Sequence, residues 1–230
     1  EALIVMADVY AALDVGAVTL RVNDRRILNG LLETLGAADQ AEPVLRALDK
    51  REKLGDETVR GEMRAVGLDD AAIDRVLEAC TPHTDDAATL AALEGLVGET
   101  EQGRAGIEGL RTVRALFEAA GQRPEALRID PSIARGLDYY TGIVVEAQLD
   151  DLPDIGSVGG GGRYDDLAGL YTKSHMPGVG FTVGITRLMD ALEALGRESD
   201  TSCTTEALIT YPGDEHLTEA FSFAAALRAA

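Results

Sequence analysis

The run Ile143-Val144-Val145-Glu146-Ala147-Gln148-Leu149 alternates and is rich in β-branched residues, so it reads as a strand. Working outward, residues 126–130 form a shorter strand before it. Residues 178–184 form a later one with interleaved glycines, a pattern that favours close approach of backbone to a ligand. Near the start, Val18, Leu20 and Val22 share one face of a short strand. Helices flank these strands. Leu3, Ile4, Ala7, Tyr10 and Ala11 recur at helical spacing. Ile27, Leu28, Leu31, Leu32 and Leu35 do the same behind a cap at Asn23 or Asp24, and Gly36 ends that helix. Ile185, Leu188, Met189, Leu192 and Leu195 form another inward stripe.

Residues 41–125 differ in character. They read as several helices with charged faces and no convincing strand, punctuated by Thr81-Pro82 and Arg123-Pro124. Asp69 caps one helix, and Ile107, Leu110, Val113, Leu116 and Phe117 mark another. The expectation is a separate small helical domain inserted into an α+β fold whose parts lie at 1–40 and 126–200. A polar linker at 196–204 then leads to a buried-type strand at 207–211 and a last helix, expected as the first unit of an α/β domain over 205–230. No internal repeat is visible.

Composition narrows the function classes. With 46% hydrophobic residues in 230, the chain can build one or two cores. No apolar run reaches membrane-spanning length and no leader opens the chain, so a soluble cytoplasmic protein with no membrane partner is expected. Cys80 and Cys203 form no CxxC pattern, and His83, His175 and His216 have no ligand spacing, so no metal ligands are assigned. The net charge is −19, from 40 acidic against 21 basic residues, which opposes general nucleic-acid binding. Lysine occurs only at positions 50, 53 and 173. That acidic, lysine-poor composition suits a salt-loving host and equally a GC-rich genome.

Three clusters can carry chemistry. The first is Arg135-Gly136-Leu137-Asp138-Tyr139-Tyr140-Thr141-Gly142. Arginine forks onto phosphate or carboxylate, and tyrosine can hydrogen-bond a polar ring while packing against it. Taken alone, the octet fits equally a surface arginine and two core aromatics before a turn. The second is Val158-Gly159-Gly160-Gly161-Gly162-Arg163-Tyr164-Asp165-Asp166-Leu167. Bare backbone admits a small ligand, and no Gly-Lys-Ser/Thr or GxGxxG pattern is present; a hairpin tip reads the same. The third is Gly178-Val179-Gly180-Phe181-Thr182-Val183-Gly184-Ile185-Thr186-Arg187-Leu188. Arg187 sits in the first turn of a helix, where the dipole disfavours a cation, which an anion on it would offset.

Together and in this order the clusters resemble one family, the histidyl-tRNA synthetases. Arg-Gly-Leu-Asp-Tyr-Tyr is similar to its first histidine motif and Gly-Gly-Arg-Tyr-Asp-Asp-Leu to its second. The third cluster resembles class II motif 3, which alone is shared across class II enzymes. The resemblance spans nearly the whole chain. It implies a class II synthetase-type antiparallel sheet with flanking helices, with 41–125 as the inserted helical domain and 205–230 as the start of an anticodon-binding domain. It implies an ATP-dependent ligase that activates L-histidine and charges tRNA(His), with Mg2+ accompanying ATP and a homodimer at full length. Arg135 would bridge the histidine carboxylate and the α-phosphate, acting in catalysis and on both substrates. Tyr139, Tyr140 and Tyr164 would form the histidine pocket, with Tyr140 on an imidazole nitrogen. Gly160 and Gly161 would floor it. Gly184 and Arg187 would bind ATP, and Glu146 would face the site. Fixed partners for a ring with two nitrogens reject analogues lacking them. Arg104, Arg111 and Arg114 would be candidates for the tRNA acceptor stem.

The sequence departs from that pattern in lacking motifs 1 and 2, which would precede Glu1, so the chain by itself is expected not to activate histidine efficiently. A competing reading is the non-catalytic paralogue, the regulatory subunit of ATP phosphoribosyltransferase. The Arg135–Tyr140 motif and the expected anticodon-binding domain stand against it. A further one is an interaction fragment with a degenerate pocket.

Overall fold

The computed structural model describes residues 1–134, 139–173, 175–197 and 205–229, and of Glu52 the backbone alone. In chain order come α1 (Ala2–Leu13), β1 (Val18–Asp24), α2 (Arg25–Thr34), α3 (Ala41–Leu48) and α4 (Arg51–Ala65). Then follow α5 (Asp70–Ala79), α6 (Asp86–Val97), α7 (Glu101–Ala119), β2 (Leu127–Ile129) and β3 (Ile143–Leu149). The last are β4 (Ser157–Tyr164), β5 (Gly178–Val183), α8 (Ile185–Ala194) and α9 (Leu217–Ala229). Side-chain caps fix several helix starts. Asp24 accepts from the Arg26 N–H, Asp69 from Ala72, Asp85 from Ala88 and Thr100 from Gly103. Each cap contributes about 1 kcal/mol.

The five strands lie in the order β2-β1-β3-β4-β5. Only β1 and β2 run parallel; the other neighbours are antiparallel. Period-two alternation divides the sheet into two unlike faces. Leu20, Val22, Val145, Ala147 and Leu149 are buried on one. Helix α1 covers this face: Met6 and Tyr10 reach Gly159, and the Tyr10 hydroxyl donates to the Val158 carbonyl at 3.0 Å. The other face is polar. In register across it stand Arg21, Glu146, Gly160 and Thr182, with Asn23, Val144, Gly162 and Gly180 as the next row.

Helix α7 packs along α2 where small residues allow it. A Cβ on Gly30 would lie 2.7 Å from the Gly103 nitrogen, and one on Gly106 would lie 2.7 Å from Ile27 Cγ1. This contact joins the helices of 41–125 to the sheet. Val44, Leu45, Met63, Ile73 and Val76 belong to the same core as Leu20 and Val145. The stretch expected as a separate helical domain therefore shares one compact unit, Glu1–Leu192, with the sheet.

The second compact unit is Glu193–Ala230. Residues 207–211, expected as a strand, form no strand and pair with none, and Leu208 is 84% exposed. A strand needs a neighbour for its N–H and C=O groups, and the described residues of this unit contain no other strand. The final helix is present as expected. Among the described residues, no helix is long and apolar enough to cross a membrane.

Candidate active site

A cleft of about 380 Å³ opens on the polar face of the sheet. Its floor is Val144, Val145 and Glu146 of β3 with Ser157 and Gly159–Gly161 of β4. Tyr139 and Tyr140 wall one side. Thr182, Gly184 and the first turn of α8 (Ile185, Thr186 and Arg187) wall the other. Of the expected site residues, the cleft gathers Tyr139, Tyr140, Gly160, Gly161, Gly184 and Arg187, together with Glu146. Arg135 lies outside the described residues.

Tyr164 does not line the cleft; it stands beside the two tyrosines that do. Its ring centroid is 6.2 Å from Tyr139 and 6.5 Å from Tyr140, and those two are 4.3 Å apart. The glycines explain how three rings fit. A Cβ on Gly162 would lie 2.8 Å from Tyr140 Cδ1, and one on Gly178 would lie 2.2 Å from Tyr164 Cε2. Tyrosine rings thus take space that side chains on β4 and β5 would otherwise fill. The sequence assigned that space to a ligand, because glycine spacing cannot tell a ligand from a neighbouring side chain. Burial pushes the Tyr140 phenol above its ordinary range, and a hydrogen bond with Tyr139 adds to this. It therefore stays protonated, able to donate, throughout neutral pH.

Arg187 is exposed and its Nη1 donates to the Ser157 carbonyl at 2.8 Å. Among the described residues no carboxylate pairs with it. The opening N–H groups of α8 have no partner within the helix, so this side of the cleft favours an anion. On the floor, Glu146 is only 7% exposed and stands opposite Arg21 in register. One wall of the cleft is thus cationic, the opposite wall aromatic and hydroxylic, and the floor carries a carboxylate. Such a slot suits a zwitterionic or cationic ring compound lying beside a phosphate.

Sequence reasoning missed the support beneath residues 131–134. Asn23 Nδ2 donates to the carbonyls of Pro131 (3.2 Å) and Ile133 (2.9 Å), and its Oδ1 accepts from the Asp24 N–H. Arg21 Nε donates to Asp130 at 2.8 Å, and Arg21 Nη2 to Ser132 Oγ at 3.1 Å. Asn23 had drawn notice only as a possible helix cap. The available signal was a polar strand position opposite in phase to Val18, Leu20 and Val22. Elsewhere, two arginines expected at an acceptor stem are already engaged. Arg111 pairs with Glu94 at 2.7 Å, and Arg114 pairs with both Glu118 and Asp86. Arg104 is exposed.

A family model described as "Histidyl-tRNA synthetase" matches residues 1–188. The chain belongs to the histidyl-tRNA synthetase family. A histidine–tRNA ligase of Rhodopirellula baltica is 45% identical over 229 residues, covering 99% of this chain and 52% of that protein. One from Xanthomonas campestris pv. campestris is 39% identical over 237 residues, covering 99% and 50%. The crystal structure of histidyl-tRNA synthetase from Nostoc sp. PCC 7120 superposes with a TM-score of 0.79 at 28% identity, covering 97% of this chain and 53% of that one. The α+β sheet flanked by helices is therefore the class II synthetase-type architecture of this family. The chain spans about half the length of the curated relatives it matches.

Proposed function

We propose that the full-length protein carrying this chain is a histidine–tRNA ligase, which forms histidyl-adenylate from L-histidine and ATP and transfers the histidyl group to tRNA(His). The observation that carries this reading is the convergence of Tyr139, Tyr140, Gly160, Glu146 and Arg187 on one cleft. In this reading the imidazole lies against Tyr140, whose neutral phenol can hydrogen-bond a ring nitrogen, with Tyr164 backing the cluster. Gly160 admits the ring to the sheet surface, with Gly161 beside it. ATP lies along Gly184 and the start of α8, with its terminal phosphates toward Arg187. Arg135 spans the histidine carboxylate and the α-phosphate, where attack gathers negative charge. The described residues hold no cluster of three or more His, Cys, Asp or Glu side chains suited to a metal, while Glu146 supplies one carboxylate on the floor. Mg2+ would accompany the phosphates of ATP and neutralise their charge.

Residues 1–40 and 126–200 are read as parts of the catalytic core, 41–125 as the family's insertion packed onto it, and 205–230 as the opening of the anticodon-binding domain. A homodimer and a cytoplasmic location belong to the same reading. Histidine-dependent ATP–pyrophosphate exchange by the full-length protein tests it. Exchange with histidine and not with other amino acids is expected. Histidine binding without exchange would overturn the ligase reading in favour of a non-catalytic paralogue.

A further inference from the structure

Thr141 and Asp165 close a reciprocal pair of hydrogen bonds between the two stretches that carry the tyrosines. Thr141 Oγ1 donates to Asp165 Oδ2 at 2.8 Å and accepts from the Asp165 N–H at 3.1 Å. Beside it, the Thr141 N–H donates to the Arg163 carbonyl at 2.8 Å. Arg163 Nε donates to both carboxylate oxygens of Asp165, at 2.9 and 3.1 Å. On the far side, the Arg25 N–H donates to the Gly142 carbonyl at 3.0 Å, which ties the same loop to the start of α2. Neither Thr141 nor Asp165 lines the cleft. Each directly follows a tyrosine in sequence, Tyr140 and Tyr164.

This placement matters because of what lies under the rings. Tyr140 rests on Gly162 and Tyr164 rests on Gly178 and Gly180. A glycine surface has no side-chain walls, so it does not restrain a ring from sliding. The orientation of each ring then depends on the neighbouring rings and on its own backbone, and so on whatever holds that backbone. The Thr141 hydroxyl uses both its donor and its acceptor capacity here, and a β-branched residue is stiff at χ1. We propose that Thr141 and Asp165 are positioning residues that set the fit of the histidine ring by locking Tyr140 against Tyr164. This inference rests on the proposed function above.

The test is pyrophosphate exchange by the full-length protein, with histidine and ATP varied separately. Thr141→Val keeps the shape and removes both hydrogen bonds. It is expected to raise KM for histidine about tenfold while KM for ATP and kcat stay within about twofold. Thr141→Ser, which keeps the hydroxyl, is expected to return KM for histidine to within about threefold of the parent protein. Asp165→Asn provides a second variant that weakens the clasp from the other side, and carries the test should Thr141→Val fail to fold. A general loss of structure would lower kcat or raise both KM values together, and that pattern overturns the proposal. So does an unchanged KM for histidine in the folded variants, or a serine variant that rescues nothing. A parent protein without histidine-dependent exchange sinks the functional reading and this inference with it. An active parent with indifferent variants sinks the inference alone.

Discussion

Gly159 through Gly162 occupy consecutive positions on β4, yet each faces a different neighbour. A Cβ on Gly159 would sit 2.1 Å from the Tyr10 hydroxyl, and one on Gly161 would sit 2.1 Å from the Gly180 carbonyl oxygen. On Gly162 it would meet the Tyr140 ring. Gly160 is different: its nearest obstacle is the Val145 carbonyl oxygen at 3.1 Å, and otherwise it borders the cleft. Gly161→Ala is therefore expected to destabilise the fold by about 1–3 kcal/mol, since backbone must move to admit the methyl group. Gly160→Ala needs a shift of only a few tenths of an ångström, so it should fold and, on the proposed function, raise KM for histidine in the full-length protein. Melting temperatures of the two variants, with exchange kinetics on Gly160→Ala, check this. A larger stability loss at Gly160 than at Gly161 would mean that the faces of β4 are assigned wrongly. The run of glycines was legible as a place of close approach. Which glycine met which neighbour was not, because that follows from register with β3 and β5, and the sequence of one strand does not contain its register.

At the scale of elements, the features that depend on a few neighbouring residues are legible in the sequence. Alternation marked β3, and the glycine-interleaved strand β5 was visible from its bounding helix. Asp24 and Asp69 marked helix starts because a capping carboxylate acts within three residues. Strand β4 was legible only as a glycine run, since glycine is depleted from strands and packs nothing; its pairing on both sides holds it in place. Residues 207–211 erred the opposite way, having a strand's composition without a partner. Asn23 belongs to this scale too, because it joins β1 to the segment after β2. Asn23→Asp preserves size and the acceptor for the Asp24 N–H, but it removes both donors and sets a carboxylate against the carbonyls of Pro131 and Ile133. Asn23 is 8% exposed, so water cannot easily compensate. A loss of about 1–3 kcal/mol or more is expected, read as a lower midpoint in urea unfolding. An unchanged midpoint would show that β1 does not hold the 131–134 segment in this way.

Over the whole molecule, charge was fully legible while its arrangement was not. The sum of −19 is fixed by composition, but only the structure shows Arg111 and Arg114 neutralised within the helical layer. The cationic side of the cleft, at Arg187, thus stands out against a predominantly acidic molecule. Such a molecule repels itself in the compact state, and added salt relieves that repulsion by shortening the screening length to about 3 Å at 1 M. The melting temperature is accordingly expected to rise as sodium chloride is raised from about 0.1 M to about 1 M. Ordinary salting-out would also raise it, through exclusion of salt from apolar surface. Charge removal separates the two. Glu99 and Glu108 are exposed, so Glu99→Gln with Glu108→Gln should raise stability at low salt and reduce the salt dependence. Equal salt slopes in the parent and the double variant would assign the effect to exclusion. A flat response in the parent would show that repulsion among the acidic side chains has no measurable bearing on this fold.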